Sequence, residues 1–182
     1  MTTTTVQALL QDGKLAGSWT LDATRSEVRL ETRHTWGLRP LHGFFRQVAG
    51  NGTVTTAGDV SGVVTVAAES IDTKNSTRDR HLRSADFFDV ATHPDLTFAV
   101  DGVAPADGAA PDDGRVRVTG SLTVRGRTRP ASFGATVSAT DDEVRLDGEL
   151  QVNRTDFGLT WNRMGMASVD NTIVVHAVFT RS

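Results

Sequence analysis

The sequence contains no cysteine among its 182 residues. Disulfides, thiolate zinc sites and cysteine-based catalysis are therefore excluded. Long apolar runs are absent as well, and none approaches the roughly 20 residues of a membrane helix. The longest apolar run near the N-terminus is Ala8-Leu9-Leu10, which is too short for a secretory signal. We therefore expect a cytoplasmic protein without stable membrane insertion.

An excess of basic residues is also missing, because 19 Lys and Arg face 22 Asp and Glu, for a net charge of −3. Nucleic-acid-binding proteins usually carry a basic face, so we expect no nucleic-acid partner. The length suits one domain with a substantial core. We assign residues 1–16 to a flexible N-terminal leader and residues 17–182 to the folded domain.

Alternation of apolar and polar residues with a period of two runs through most of the chain. In "SEVRLETRHTWG", Val28, Leu30, His34 and Trp36 share one face, which predicts a strand with one buried face. Similar segments follow at short spacing, separated by Gly, Asp and Asn. Many short strands with such turns indicate an antiparallel barrel or sandwich.

Two segments have helical character. The first runs weakly from Val6 to about Lys14, and the second opens the charged stretch 76–96, "STRDRHLRSADFFDVATHPDL". Ser76 or Thr77 could cap this second helix, and Asp79 and Arg83 are spaced for an i, i+4 ion pair. If the strands form a barrel, we expect this stretch to serve as a lid and plug at one end of it.

Several motifs occur in the order found in one known family: "SWTLDATRSEVRLETRH", "GFF", "ESIDTKNSTRDRHLRSADFFDVATHPDLTF", "GSLTVRGRTRP" and "VNRTDFGL". Over roughly residues 18–180 the chain resembles the YceI-like family. The resemblance implies an all-β fold: a lipocalin-like, eight-stranded antiparallel β-barrel, here with one or two short helices, around an elongated apolar cavity. It also implies binding of long-chain isoprenoid lipids, such as polyprenyl phosphates or quinones, without an established catalytic mechanism.

The cavity wall and its mouth supply the candidate ligand-binding residues. His34 could hydrogen-bond a quinone carbonyl or an anionic head group, or it could be a core histidine satisfied by a carbonyl or water. Arginines of the 76–83 segment and of the hairpin 125–129 could form a cationic rim, or simply keep the surface soluble. The full set is Val28, Leu30, His34, Trp36, Phe44, Arg80, His81, Phe87, Phe88, Phe98, Phe157, Trp161 and Met164.

Catalysis has weak support in the sequence. Asp79 and His81 could form an acid–base pair, but residues two apart on a helix diverge. A nucleophile elbow, a metalloprotease motif and a phosphate loop are all missing. The five histidines show no local metal-ligand spacing. We therefore predict no catalytic residue, no metal and no cofactor.

The leading hypothesis is a non-catalytic carrier that holds one long-chain amphiphilic lipid with its tail inside the barrel. One alternative is an enzyme acting on a lipid or isoprenoid, with His34 or His81 as acid–base group. Another is a structural barrel with a filled core. The segment "TIVVHAVF" is apolar on both faces, so its outer face needs cover from a helix or a partner, and we predict a homodimer.

Overall fold

The fold is a closed antiparallel barrel with one short helix at each end, seen in a computed structural model that describes residues 5–34, 40–110, 113–162 and 167–182. The helices are α1 (Val6–Gln11) and α2 (Ser76–Arg83). The strands are β1 (Gly17–Leu21), β2 (Glu27–His34), β3 (Pro40–Phe45), β4 (Val48–Val54), β5 (Val60–Ala67), β6 (Ile71–Asp72), β7 (Asp95–Pro105), β8 (Arg115–Val124), β9 (Arg127–Ala139), β10 (Glu143–Asn153) and β11 (Ala167–Arg181).

Eight strands close the ring in the order β1, β4, β5, β7, β8, β9, β10, β11, and β11 returns to β1. The 15 residues of β11 exceed the length of β1, so its first part pairs with β2 and its last part with β1. Strands β3 and β6 extend the sheet beyond β2. The prediction of an all-β, eight-stranded antiparallel barrel with two short helices is confirmed.

Turn chemistry explains the two-residue connection between β8 and β9. Arg125 and Gly126 form a two-residue loop in which both residues have positive φ, 50° and 70°. That geometry belongs to the type I′ turn, whose twist matches the twist of the paired strands. The loop therefore brings the arginines of 125–129 to the same barrel end as α2.

The outer face of β11 is covered from within the chain at Val178. Val178 is only 2% exposed, and its backbone exchanges hydrogen bonds with Asp22 and Ser26 of the β1–β2 connection. His176 on the same face is paired with Asp147 at 2.6 Å. The expectation that this face needs a helix or a partner was therefore wrong at Val178, because a loop supplies the cover.

Residues 5–16 also differ from the expected flexible leader. Helix α1 is capped by Thr5, whose side chain accepts a hydrogen bond from the Ala8 N–H at 3.1 Å. Leu9 and Leu15 are 4% and 2% exposed because they pack on the barrel. The apolar face of this segment thus joins the core, although the domain boundary near residue 17 stays a prediction.

Candidate binding cavity

A cavity of about 200 Å³ occupies the barrel interior between α1 and the layer of Phe45, Leu96, Leu122 and Leu150. Inward-facing side chains of nearly every strand line it, and almost all are Val, Leu, Ile or Phe. Many of these side chains remain only half-buried, as expected for residues that face open space rather than a packed core. The barrel is therefore hollow, and no charged residue of the described chain lines the cavity.

Two aromatic rings of the cavity lining contact each other. Phe98 and Phe133 meet edge to face, with their ring centroids 5.5 Å apart. Each ring lies against a glycine of the neighbouring strand. A Cβ added at Gly120 would come within 2.9 Å of Phe98, and one at Gly148 within 2.8 Å of Phe133. These glycines leave the room that the rings need.

One end of the cavity is closed by α1 and the residues that follow it. Val6, Leu10, Leu15 and Trp19 line the cavity there. The Trp19 indole N–H donates to the Leu15 carbonyl at 2.9 Å. This segment was not among the predicted binding residues, although the spacing of its apolar residues 6, 9 and 10 matches one face of a helix.

The opposite end is closed by α2 and residues 84–94, together called the plug. Phe88 packs edge to face on Phe45, with ring centroids 6.0 Å apart. His81 contacts Phe87 and Trp161 with its ring, at centroid distances of 5.1 and 4.5 Å. The plug thus fills this end with aromatic side chains.

Hydrogen bonds hold the plug in position. Asp79 is 7% exposed and accepts from the Thr73 backbone N–H at 2.9 Å and from the Thr73 hydroxyl at 2.5 Å. Arg83 donates to the Ile71 carbonyl at 2.9 Å. The predicted Asp79–Arg83 ion pair was wrong, because Asp79 binds Thr73 and Arg83 binds Ile71, both of which precede the helix.

The start of α2 also differs by one residue from the prediction. Asn75, rather than Ser76 or Thr77, caps the helix by accepting from the Arg78 N–H at 3.0 Å. The Asn75 backbone is extended, as an N-cap requires. The short helix itself is present as predicted.

Some arginines near the plug donate hydrogen bonds to backbone carbonyls, and others are exposed to solvent. Arg125 donates to the Phe87 carbonyl at 3.2 Å, which ties the β8–β9 turn to the plug. Arg80, Arg127 and Arg129 are exposed, and none of them lines the cavity. Buried Arg154 donates to the carbonyls of Leu159, Trp161 and Ser168, and burial lowers the pKa of its guanidinium.

The predicted binding residues separate into distinct groups. Val28 and Phe98 line the cavity, and Leu30 packs against the main core. Phe44 points away from the cavity, with the Arg29 and Arg46 guanidinium groups 5.9 and 5.1 Å from its ring centroid, whereas Phe45 points inward.

The other predicted residues do not reach the cavity or are not described. Phe87, Phe88, Phe157 and Trp161 belong to the packed core at the plug end, His81 contacts it, and Arg80 is exposed. The His34 side chain, Trp36 and Met164 lie outside the described residues. Ligand binding by any of these residues stays a prediction.

The described part of the chain offers little for metal binding or membrane crossing. It holds no group of three or more His, Cys, Asp or Glu side chains arranged to bind a metal ion. Within those same ranges, no helix is both long and apolar enough to cross a membrane.

Comparison with known proteins places this barrel among relatives. A UPF0312 protein of Staphylococcus aureus (strain MSSA476) is 26% identical over 155 residues, which cover 80% of this chain and 84% of the relative. Burkholderia cenocepacia BcnA superimposes with a TM-score of 0.76 at 23% identity, covering 87% of this chain and 98% of that one. A solved domain of Saccharophagus degradans, described as a polyisoprenoid binding domain, has a TM-score of 0.72 at 17% identity, with coverages of 90% and 98%. The model of the YceI-like domain matches residues 19–180, and the chain therefore belongs to the YceI-like family.

Proposed function

We propose that this protein binds one long-chain amphiphilic lipid, of the polyisoprenoid, quinone or polyprenyl phosphate type, with its apolar tail in the barrel cavity. The observation that carries the proposal is the hollow interior with its apolar, uncharged lining. The structurally similar Saccharophagus degradans domain is described as polyisoprenoid-binding, which supports the same ligand class. Each buried CH₂ of the tail contributes about 0.8 kcal/mol, so hydrophobic contact alone provides affinity.

The proposed role is that of a carrier rather than an enzyme. His81, one of the two candidate acid–base groups, donates a hydrogen bond from Nε2 to the Asp86 carboxylate at 3.1 Å and packs between Phe87 and Trp161. It does not line the cavity, so a tail inside the barrel would not reach its ring. A filled structural barrel has less support than a carrier, because the interior is open.

Two further features belong to the proposal. A cytoplasmic location remains a prediction, and cell fractionation tests it. A homodimer also remains a prediction, although Val178, on the outer face of the apolar segment that suggested a partner, is buried within the chain itself. Light scattering on the purified protein would measure the oligomeric state directly.

Native mass spectrometry, followed by organic extraction, tests the carrier proposal. We expect a stoichiometric adduct that extraction identifies as a long-chain lipid. The delipidated protein should then bind N-phenyl-1-naphthylamine, an apolar fluorophore, in competition with that lipid. A protein that stays free of adducts and binds neither the fluorophore nor polyprenyl and quinone candidates would contradict the proposal.

A matched pair of variants on β10 locates the binding. Leu146 lines the cavity, whereas Arg145 points to solvent on the other face of the same strand. Leu146→Trp fills the cavity and should weaken fluorophore binding about tenfold or more, since one tenfold step corresponds to only about 1.4 kcal/mol. Arg145→Trp adds the same ring outside and should leave affinity unchanged. Equal affinities for both variants would place the ligand elsewhere.

A further inference from the structure

The cavity comes closest to solvent at the β4–β5 hairpin. Asn51, Thr53, Ser61 and Val63 line the cavity and are exposed, whereas the other described lining residues are buried or half-buried. They form the cross-strand pairs Asn51–Val63 and Thr53–Ser61 on either side of the glycine pair at positions 52 and 62. The glycines add no side chain to the inner face, so the wall is only one backbone thick here.

Helix α1 lies beside this hairpin and is held to it by apolar packing. A Cβ built at Gly58 of the β4–β5 turn would stand 3.6 Å from the Leu10 Cβ. All hydrogen bonds of residues 5–13 stay within the segment 5–16, and in this described part none reaches the barrel. A helix of six residues is not stable alone, so packing on the barrel keeps α1 ordered.

The polar anchors begin only after the helix. Arg181 donates to the carbonyls of Lys14 and Ala16 at 2.7 and 2.8 Å. Gly13 and Gly17 have φ of 68° and 135°, values that glycine adopts without strain. The Lys14 and Leu15 N–H groups donate to the Leu9 carbonyl of α1 at 3.1 and 3.4 Å, so these bonds must break if α1 leaves the barrel while residues 14–16 stay in place, with Gly13 as the hinge.

The plug differs from α1 because its attachment is polar as well as apolar. The Pro94 carbonyl accepts from the Ala68 N–H at 2.8 Å, Arg125 binds the Phe87 carbonyl, and Arg83 binds the Ile71 carbonyl. Opening this end would break several hydrogen bonds and expose the aromatic cluster. The end covered by α1 is the easier one to open.

We propose that ligand enters at the end covered by α1, that α1 moves aside to admit it, and that the ligand admitted has an uncharged head group. The inference rests on the proposed lipid binding and specifies its entrance and its ligand class. It assigns the opening to a segment outside residues 19–180, the part of the chain that matches the family.

The absence of charge in the cavity favours the uncharged head group. The cavity lining carries no charge, and a buried ion without a partner is strongly disfavoured. At the entrance, the charged groups of α1, the β4–β5 turn and their surroundings include Asp12, Lys14, Asp59 and the Arg181 guanidinium that binds residues 14–16. These two carboxylates and two cations balance, so the entrance gives a phosphate head no net attraction to offset its loss of water. A hydroxyl, carbonyl or amide head loses much less on entering the cavity.

A reversible disulfide tests the entrance. The native chain has no cysteine, and the Cβ separation of 3.6 Å between positions 10 and 58 suits a disulfide, for which about 3.5–4.5 Å is usual. We expect the oxidised Leu10→Cys/Gly58→Cys variant to load N-phenyl-1-naphthylamine at least about tenfold more slowly than the same protein after reduction. Gly58→Cys alone controls for strain at a position where φ is 91°.

The outcomes separate this inference from the carrier proposal. Equal loading rates in the oxidised and reduced variant, or failure of the disulfide to form, would overturn the entrance at α1. Absence of fluorophore binding in the reduced variant and in the native chain would instead contradict the carrier proposal itself. Slow loading only when oxidised supports α1 as the moving segment.

Head-group selectivity is tested on the native protein with two ligands that share the same isoprenoid tail and differ only in the head group. Geranylgeraniol and geranylgeranyl monophosphate compete with the fluorophore below their critical micelle concentrations. We expect the alcohol to bind about tenfold or more tightly than the phosphate, since burying an unpaired charge is costly. Equal or tighter binding of the phosphate would overturn the uncharged head group.

Discussion

Replacing Phe133 by alanine distinguishes a hollow barrel from a filled one. Truncation of a phenylalanine in a filled core costs about 3–5 kcal/mol, part of which comes from the new void. Phe133 touches the Phe98 ring and the backbone at Gly148, but it also faces open cavity. Its removal enlarges an existing space, so we expect Phe133→Ala to lower the free energy of unfolding by only about 1–2 kcal/mol.

Phe157 provides the matched control. It is buried in the main core at the plug end and does not line the cavity. Phe157→Ala should therefore cost the full 3–5 kcal/mol, roughly the value for a filled core. Urea unfolding of delipidated protein measures both, because bound ligand would raise apparent stability. Equal losses in the two variants would mean that the space around Phe133 is packed, and the hollow-barrel reasoning would fail.

Further predictions concern polar contacts, glycines and pH. Asp79→Ala should destabilise by about 2–3 kcal/mol, because the Thr73 N–H and hydroxyl lose a buried acceptor, and urea unfolding measures this. Gly120→Ala should lower the urea midpoint sharply, since its Cβ would overlap a neighbouring carbonyl oxygen, whereas Gly134→Ala, with open space around it, should not. The pKa of Asp72 is lowered to about 2, first by a backbone N–H two residues onward and then by neighbouring cations. Stability from this depressed pKa is present above pH about 4 and is lost as pH falls toward 2, so the urea midpoint should drop in that range.

Alternation along β2 predicted that Val28 faces inward, because strand geometry fixes that pattern locally. The pattern within β3 alone did not show which of the adjacent residues Phe44 and Phe45 faces inward. The register of β2 with β3 sets Val28 opposite Phe45, which sends Phe45 into the cavity and Phe44 outward under Arg29. The sequence around these two phenylalanines does not specify how β3 pairs with β2.

The many charged residues of the plug led to the wrong prediction of an ion pair there. The pairing of Asp79 with Arg83 follows helical spacing, but Thr73, six residues before Asp79, offers a buried N–H and hydroxyl together. A buried carboxylate gains more from two hydrogen bonds than from a partly exposed ion pair. The outcome depends on how α2 docks on β6, which the helix sequence alone does not specify.

The contrast between the two barrel ends follows from the same physics. The stretch 76–96 is rich in charged residues, yet several of its polar groups form hydrogen bonds that hold the plug closed. The unremarkable residues of α1 bring no polar bond to the barrel, and they cover the cavity with Val6, Leu10 and Leu15. A cover held by apolar contacts alone can be exchanged for the apolar tail of a ligand, because the tail offers the cavity wall equivalent contacts. A hydrogen-bonded plug cannot be replaced in this way, since a hydrocarbon tail supplies no donors or acceptors to the groups it would leave unpaired.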